Sequence, residues 1–73
     1  MKVTLESFDS GWSAITVEMT PRDIDLLIER LQALRGKQIG HFHWRRDDFS
    51  RDQGVADVEF SMDPEAPDDM TVE

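Results

Sequence analysis

The sequence predicts an α+β fold in which one helix covers one face of a four-stranded antiparallel sheet, in the order β-β-α-β-β. Two observations favour this fold. Four short segments alternate apolar and polar residues with the period of two that is typical of strands. One central segment, residues 20–36, instead spaces its apolar residues with the helical period of 3.6. A sheet with one apolar face needs a covering layer, and the helix can supply it.

The first two strands are predicted to form a hairpin. Residues 2–8 and 14–19 each alternate in polarity, and the turn-forming residues 9–11, Asp-Ser-Gly, lie between them. One side of this hairpin is apolar and carries Val3, Leu5, Ile15 and Val17.

The helix has clear start and stop signals. Thr20 is a good N-cap, Pro21 suits the first helical position, and Asp23 favours the positive end of the helix. Gly36 is expected to follow the last helical residue as the left-handed C′ residue. One stripe of the helix is apolar and carries Ile24, Leu27, Ile28, Leu31 and Leu34.

The third and fourth strands are predicted at residues 38–44 and 55–62, joined by a charged loop at 45–54. A helix crossing from the second strand to the third makes those two strands run in the same direction, so the third strand can pair antiparallel with the first. The predicted spatial order is therefore 2-1-3-4. The alternative order joins the two hairpins through the second and fourth strands.

The chain is predicted to be one domain at residues 1–62 followed by a disordered acidic tail at 63–73. Seventy-three residues allow a single small core. The tail combines two prolines with five acidic and no basic residues, a composition typical of disorder.

Charge and composition exclude several classes of function. The net charge of −8 would repel a nucleic-acid backbone, so no nucleic-acid partner is expected. No segment approaches the ~20 apolar residues of a membrane span. The chain lacks cysteine, which rules out thiolate metal sites and favours a reducing, cytoplasmic location.

The first candidate site is a histidine pair in the third strand. His41 and His43 are two residues apart, so both imidazoles lie on the face opposite Phe42 and Trp44. Neighbouring carboxylates on this face, those of Asp57 and Glu59, would complete a plausible zinc ligand set. In the order 2-1-3-4, Thr4 and Glu6 flank the histidines from the other side. Two surface histidines that hydrogen-bond across strands are the simpler interpretation, and the sequence favours it.

The second candidate is the charged loop. It places three arginines around one aromatic residue in an otherwise acidic chain, and arginine and aromatic side chains are typical anchors of protein interfaces. These residues are Arg45, Arg46, Phe49 and Arg51. A solvated loop whose arginines pair with its own aspartates is an equally good interpretation.

The third candidate is the uncovered face of the sheet, which is polar and acidic. It could dock a basic protein, or it could simply remain in contact with water. Its acidic residues are Glu6, Glu18, Asp57 and Glu59.

No enzymatic activity and no cofactor are predicted. The chain has neither a glycine-rich phosphate loop nor a nucleophile elbow, and nothing places its serine, histidine and aspartate residues in a relay.

The chain resembles the small bacterial immunity protein family. The resemblance covers residues 3–61 and follows an ordered pattern: Val3 to Phe8, then Met19-Thr20-Pro21 opening a leucine-rich helix, then His41-Phe42-His43, then Ala56 to Phe60. It implies a non-enzymatic protein that binds and neutralises a cognate toxin, without identifying the toxin or the contact residues. The predicted function is therefore a protein-binding module, a monomer or weak dimer. The alternative is a metal-binding or pH-responsive module that uses His41 and His43.

Overall fold

The computed structural model describes residues 1–50 and 54–73 and shows an α+β fold with one helix and two hairpins. The elements follow the predicted order β-β-α-β-β. They are β1 (Lys2–Ser7), β2 (Ser13–Glu18), α1 (Pro21–Arg35), β3 (His41–Arg45) and β4 (Asp57–Ser61).

The first hairpin pairs β1 with β2 in antiparallel register, with Leu5 opposite Ile15 and Val3 opposite Val17. The backbone N–H of Phe8 donates to the carbonyl of Trp12 at 2.9 Å and closes the turn. Gly11 has φ of +89°, a conformation that residues with a Cβ rarely adopt, so the turn requires glycine there.

The helix begins with a capping box, as the start signals predict. The Thr20 hydroxyl accepts from the backbone N–H of Asp23 at 3.2 Å, and the Asp23 carboxylate accepts from the backbone N–H of Thr20 at 3.0 Å. The N-terminal amine of Met1 lies 2.9 Å from the same carboxylate. Asp23 therefore ties the start of the chain to the start of the helix.

The ion pair with the N-terminal amine holds the pKa of Asp23 below its ordinary value of 3.8, and the Thr20 backbone N–H lowers it further. Because the folded pKa is below the unfolded one, the ionised carboxylate stabilises the fold above pH 3.8, and this contribution disappears as the pH falls through the folded pKa. We expect Asp23→Asn to be less stable than the parent at pH 6, with a smaller difference at about pH 2. Urea unfolding at both pH values measures this, and an equal difference at both would contradict it.

The helix ends in a Schellman motif with lysine in the left-handed position. The Gln38 backbone N–H donates to the Ala33 carbonyl at 2.9 Å, and the Lys37 N–H donates to the Leu34 carbonyl at 3.1 Å. Gly36 has φ of −77°, whereas Lys37 has φ of +61°. The prediction of Gly36 as the left-handed residue was therefore wrong by one position, and the conformational cost falls on a residue with a Cβ.

Replacing Lys37 by glycine is expected to stabilise the protein by about 0.5–1 kcal/mol, because glycine adopts this conformation without the Cβ penalty. Urea unfolding followed by circular dichroism measures the gain. Lys37→Ala is the matched control: it removes the same charge but keeps a Cβ, so it should give no gain. A similar gain in both variants would assign the effect to charge.

The second hairpin pairs β3 with β4, with Phe42 opposite Phe60 and Trp44 opposite Val58. The Phe42 and Phe60 rings are stacked, with centroids 4.7 Å apart. Beyond the strands, the Arg46 backbone N–H donates to the Ala56 carbonyl at 2.9 Å and extends the pairing by one step.

The two hairpins form two separate two-stranded sheets, so the prediction of a single four-stranded sheet with the order 2-1-3-4 was wrong. Within the described residues, no strand of one hairpin pairs with a strand of the other, which also removes the order through the second and fourth strands. Each hairpin closes locally through its own connection. Pairing between β1 and β3 would close a much longer loop, at a larger entropy cost.

The helix packs on β3. Leu26 and Arg30 of the helix line one groove with Phe42, His43 and Trp44.

A second groove is lined by Met1 and Val3 together with Trp44 and Val58, so β1 lies beside the second hairpin there. Among the residues that the structure describes, Leu34 near the end of α1 is the one buried apolar side chain, so the core is small.

Residues 63–73 are exposed. The Asp63 carboxylate accepts from the Glu65 backbone N–H at 2.9 Å, which forms one local turn. The domain boundary at residue 62 and the disorder of this tail stay predictions. In the parts of the chain that the structure covers, no helix has both the length and the apolar character needed to cross a membrane.

Candidate functional site

The candidate site is the face of the second hairpin that carries the two histidines. Successive strand residues point to opposite faces, so His41 and His43 share one face of β3 while Phe42 and Trp44 share the other. The register places Glu59 of β4 directly opposite His43. The predicted pairing of histidines and carboxylates on one face is therefore present.

The ring of His43 lies between two carboxylates. Its Nδ1 atom is 3.0 Å from both carboxylate oxygens of Asp57, and its Nε2 atom is 3.6 Å from Oε1 of Glu59. The side chain of His43 is half-buried, which restricts its rotation more than that of an exposed histidine. Asp57 and Glu59 are two residues apart on β4, so their side chains share one face. Each carboxylate therefore reaches one ring nitrogen of His43.

His41 completes a cluster with His43 and Glu59. One nitrogen from each histidine and one oxygen of Glu59 lie within 4.8 Å of one another. The two imidazole rings meet edge to face, with centroids 5.1 Å apart. His41 and Glu59 are exposed, so both side chains can adjust their rotamers.

Arg45 lies at the edge of this cluster, with its Nε atom 3.4 Å from Oδ1 of Asp57. Asp57 therefore bridges a histidine and an arginine. Because Asp57 belongs to β4, this ion pair is not one of the pairs within the loop that the alternative interpretation predicts, and it leaves Arg45 exposed at the end of β3.

The other residues predicted at the loop have different environments. Arg46 is half-buried and lines the same groove as Trp44. The side chain of Phe49 is 68% exposed and does not tuck against the sheet edge. Arg51 was also predicted as a partner-binding residue, but it lies outside the described residues.

The predicted acidic face is divided between the two hairpins. Glu6 and Glu18 lie on the first hairpin, where Glu6 is opposite Ala14 and Glu18 is opposite Lys2. Because β1 does not pair with β3, the expected flanking of the histidines by Thr4 and Glu6 across adjacent strands is absent. The carboxylates at the histidines are those of β4 alone.

The sequence analysis missed an exposed apolar surface on the first hairpin. Leu5 is 48% exposed and Ile15, its cross-strand partner, is 59% exposed, while Trp12 at the hairpin tip is 78% exposed. The alternation of polarity identified the apolar side, but the assumption of one four-stranded sheet placed that side beneath the helix. The predicted apolar stripe of the helix is itself exposed, with Ile24 at 42% and Ile28 at 50%, so the helix does not cover this side, and polarity patterns alone do not distinguish a covered apolar side from an uncovered one.

Comparison of this chain with protein-family models, with curated proteins and with solved structures finds no match. Function is therefore inferred from the exposed apolar surface, the charge and the histidine cluster of the chain itself.

Proposed function

We propose that this chain is a small, non-enzymatic protein-binding module whose partner is a basic protein, and that the partner is a toxin which the chain neutralises, as the resemblance to immunity proteins implies. The observation that carries the proposal is the exposure of its apolar side chains. Among residues 1–50 and 54–73, Leu34, at 5% exposure, is the one apolar residue that is buried.

The exposed apolar residues are concentrated on ordered structure. Leu5, Ile15 and Val17 lie on one face of the first hairpin, with both strands in regular register. Contiguous apolar patches on small soluble proteins mark sites of interaction, because water contact with such a surface is unfavourable. A partner that covers this face would remove the surface from water at a gain of roughly 25 cal/mol per Å².

Two exposed aromatic residues are suited to anchor the contact. Trp12 projects at the tip of the first hairpin, and Phe49 projects from the loop after β3. Tryptophan and arginine are enriched among residues that dominate binding energy, and Arg46 lies three residues before Phe49.

Charge complementarity supports a basic partner rather than a second copy of the chain. The chain has 16 acidic and 8 Lys or Arg residues, so two copies would repel each other. A basic protein would instead be attracted, and this attraction would raise the association rate at low salt. Glu6, Glu18, Asp57 and Glu59 are the strand carboxylates that would contribute.

Affinity capture from a lysate of the source organism tests the proposal. The parent chain is expected to retain a basic protein at about 0.05 M NaCl and to release most of it at about 0.5 M, where screening acts over a few ångströms. The double variant Trp12→Ala/Phe49→Ala should weaken binding at least about tenfold, which corresponds to about 1.4 kcal/mol. The captured protein should lose toxic activity when the chain is added.

The matched control is Met70→Ala/Val72→Ala, which removes two apolar side chains from the tail that are even more exposed than Trp12 and Phe49. This variant should bind like the parent. Equal binding by the parent and both double variants would contradict the proposal. It would also be contradicted if neither high salt nor the double charge reversal Glu6→Lys/Glu18→Lys reduced retention of the partner.

A further inference from the structure

We propose that His41, His43 and Glu59 form a binding site for a zinc ion, with Asp57 as the residue that orients His43. Zinc binding does not require the proposed protein partner, and Asp57 and Glu59 would serve both the zinc ion and the attraction of that partner. The observation that carries the inference is the position of the His43 ring, whose two nitrogens each face a carboxylate.

The contact with Asp57 fixes the tautomer of His43. With both oxygens of Asp57 at 3.0 Å, Nδ1 carries a proton and donates it to that carboxylate. A histidine that binds metal through Nε2 almost always donates its other N–H to a carboxylate or carbonyl in this way. Asp57 thus makes Nε2 available as a metal ligand.

The contact with Glu59 then pairs two atoms that can both bind a cation. When Nδ1 holds the ring proton, the Nε2 lone pair and Oε1 of Glu59 are both acceptors, 3.6 Å apart. A metal cation between them would be bound by both atoms.

His41 supplies the third ligand atom. One of its ring nitrogens lies within 4.8 Å of the ligand atoms of His43 and Glu59. The two imidazole rings meet edge to face with centroids 5.1 Å apart, and two neutral imidazoles can bind the same metal ion.

The distances fit zinc after a small rotamer adjustment. Zn–N and Zn–O bonds of about 2.0–2.1 Å place tetrahedral ligand atoms about 3.3 Å apart. The separation of 3.6 Å between His43 and Glu59 is already close to that value. The exposed side chains of His41 and Glu59 can close the remaining gap, and water can take the fourth position.

The donor set also selects the class of metal. Two imidazoles and one carboxylate suit Zn²⁺ and its transition-metal neighbours, whereas Mg²⁺ and Ca²⁺ prefer sites made only of oxygen. Arg45 binds the outer side of Asp57, at 3.4 Å from Oδ1, and so limits the excess negative charge that would attract such hard cations.

Isothermal titration of the full chain with ZnCl₂ at pH 7.5 tests the site. One equivalent is expected to bind, and His41→Ala, His43→Ala and Glu59→Gln should each weaken binding at least tenfold. Asp57→Asn should also weaken it, by about 10–100-fold, because it removes the group that orients His43. MgCl₂ should give no binding heat.

Two controls separate this site from general attraction of cations to an acidic chain. Glu18→Gln removes one strand carboxylate on the other hairpin and should bind zinc like the parent. The ¹⁵N shifts of His43 should show a protonated Nδ1 and a metal-bound Nε2 in the zinc complex, and circular dichroism confirms that each variant is folded. No binding at millimolar zinc, or equal binding by the parent and the His41→Ala/His43→Ala double variant, would overturn the proposal.

Discussion

Replacing Leu34 by alanine is expected to unfold a large fraction of the protein at 25 °C. Leu34 is 5% exposed and lies in the last turn of α1, the helix that packs on β3. Removing a buried leucine side chain typically costs about 2–5 kcal/mol, through lost transfer free energy and the cavity left behind. A chain of this size has a total stability of about 3–5 kcal/mol, so the loss is of the same order as the whole.

The matched control is Leu31→Ala, one helical turn earlier on the same helix. Leu31 is exposed, so the same substitution leaves no cavity and should cost less than about 1 kcal/mol. Urea unfolding followed by circular dichroism compares the two variants. Equal losses of stability would contradict a core centred on Leu34.

The helix was the most predictable element because its determinants are local. The predicted segment 20–36 and the observed Pro21–Arg35 agree at both ends. Thr20 and Asp23 satisfy the first backbone N–H groups through contacts three residues apart, and such contacts depend only on the adjacent sequence. Lys37, and not Gly36, adopts the left-handed conformation, because the hydrogen bonds of the Schellman motif determine where the chain turns.

The assembly of the hairpins could not be predicted from the same patterns. Alternation identifies which side of a strand is apolar, and this was correct for both hairpins. It does not specify which strand edges pair, because any two edges can form the same backbone hydrogen bonds. Leu5 and Ile15 were thus correctly placed on one face but wrongly expected beneath a helix.

The candidate zinc site was partly predictable for the same reason. A spacing of two placed His41 and His43 on one face, and the alternation of β4 placed Asp57 and Glu59 beside them. The ligand assignments depend on register: Glu59 lies opposite His43, whereas Asp57 reaches its other nitrogen diagonally. A ten-residue connection does not fix register as a two-residue turn does, so the sequence left these contacts open.

Replacing Phe60 by alanine is expected to destabilise the second hairpin and, with it, the candidate zinc site. Phe60 stacks on Phe42 at 4.7 Å and meets Trp44 edge to face at 6.4 Å. These contacts between side chains on the apolar face stabilise the pairing of β3 with β4. Because Phe60 is half-buried, we expect a loss of about 2–3 kcal/mol, somewhat below the value for a fully buried phenylalanine.

Phe60→Leu distinguishes the contribution of aromatic stacking to stability from that of apolar burial. Leucine keeps most of the buried volume and loses the ring contacts, which contribute about 0.5–1.5 kcal/mol per aromatic pair. Phe8→Ala is the second control, since Phe8 is exposed at the end of β1 and should cost less than about 1 kcal/mol. Urea unfolding measures all three variants, and a cost for Phe8→Ala that matches Phe60→Ala would contradict this account.

The same variants test whether the two faces of the second hairpin are coupled. Phe42 and Trp44 alternate with His41 and His43, so a displacement of β3 relative to β4 moves the ring of His43 away from Asp57 and Glu59. Zinc binding should therefore weaken in Phe60→Ala, by more than its small unfolded fraction alone would cause, and remain close to the parent in Phe60→Leu. Unchanged zinc affinity in Phe60→Ala would mean that the ligands assemble without the ring stack of Phe42 and Phe60, and that the two faces of the hairpin are not coupled.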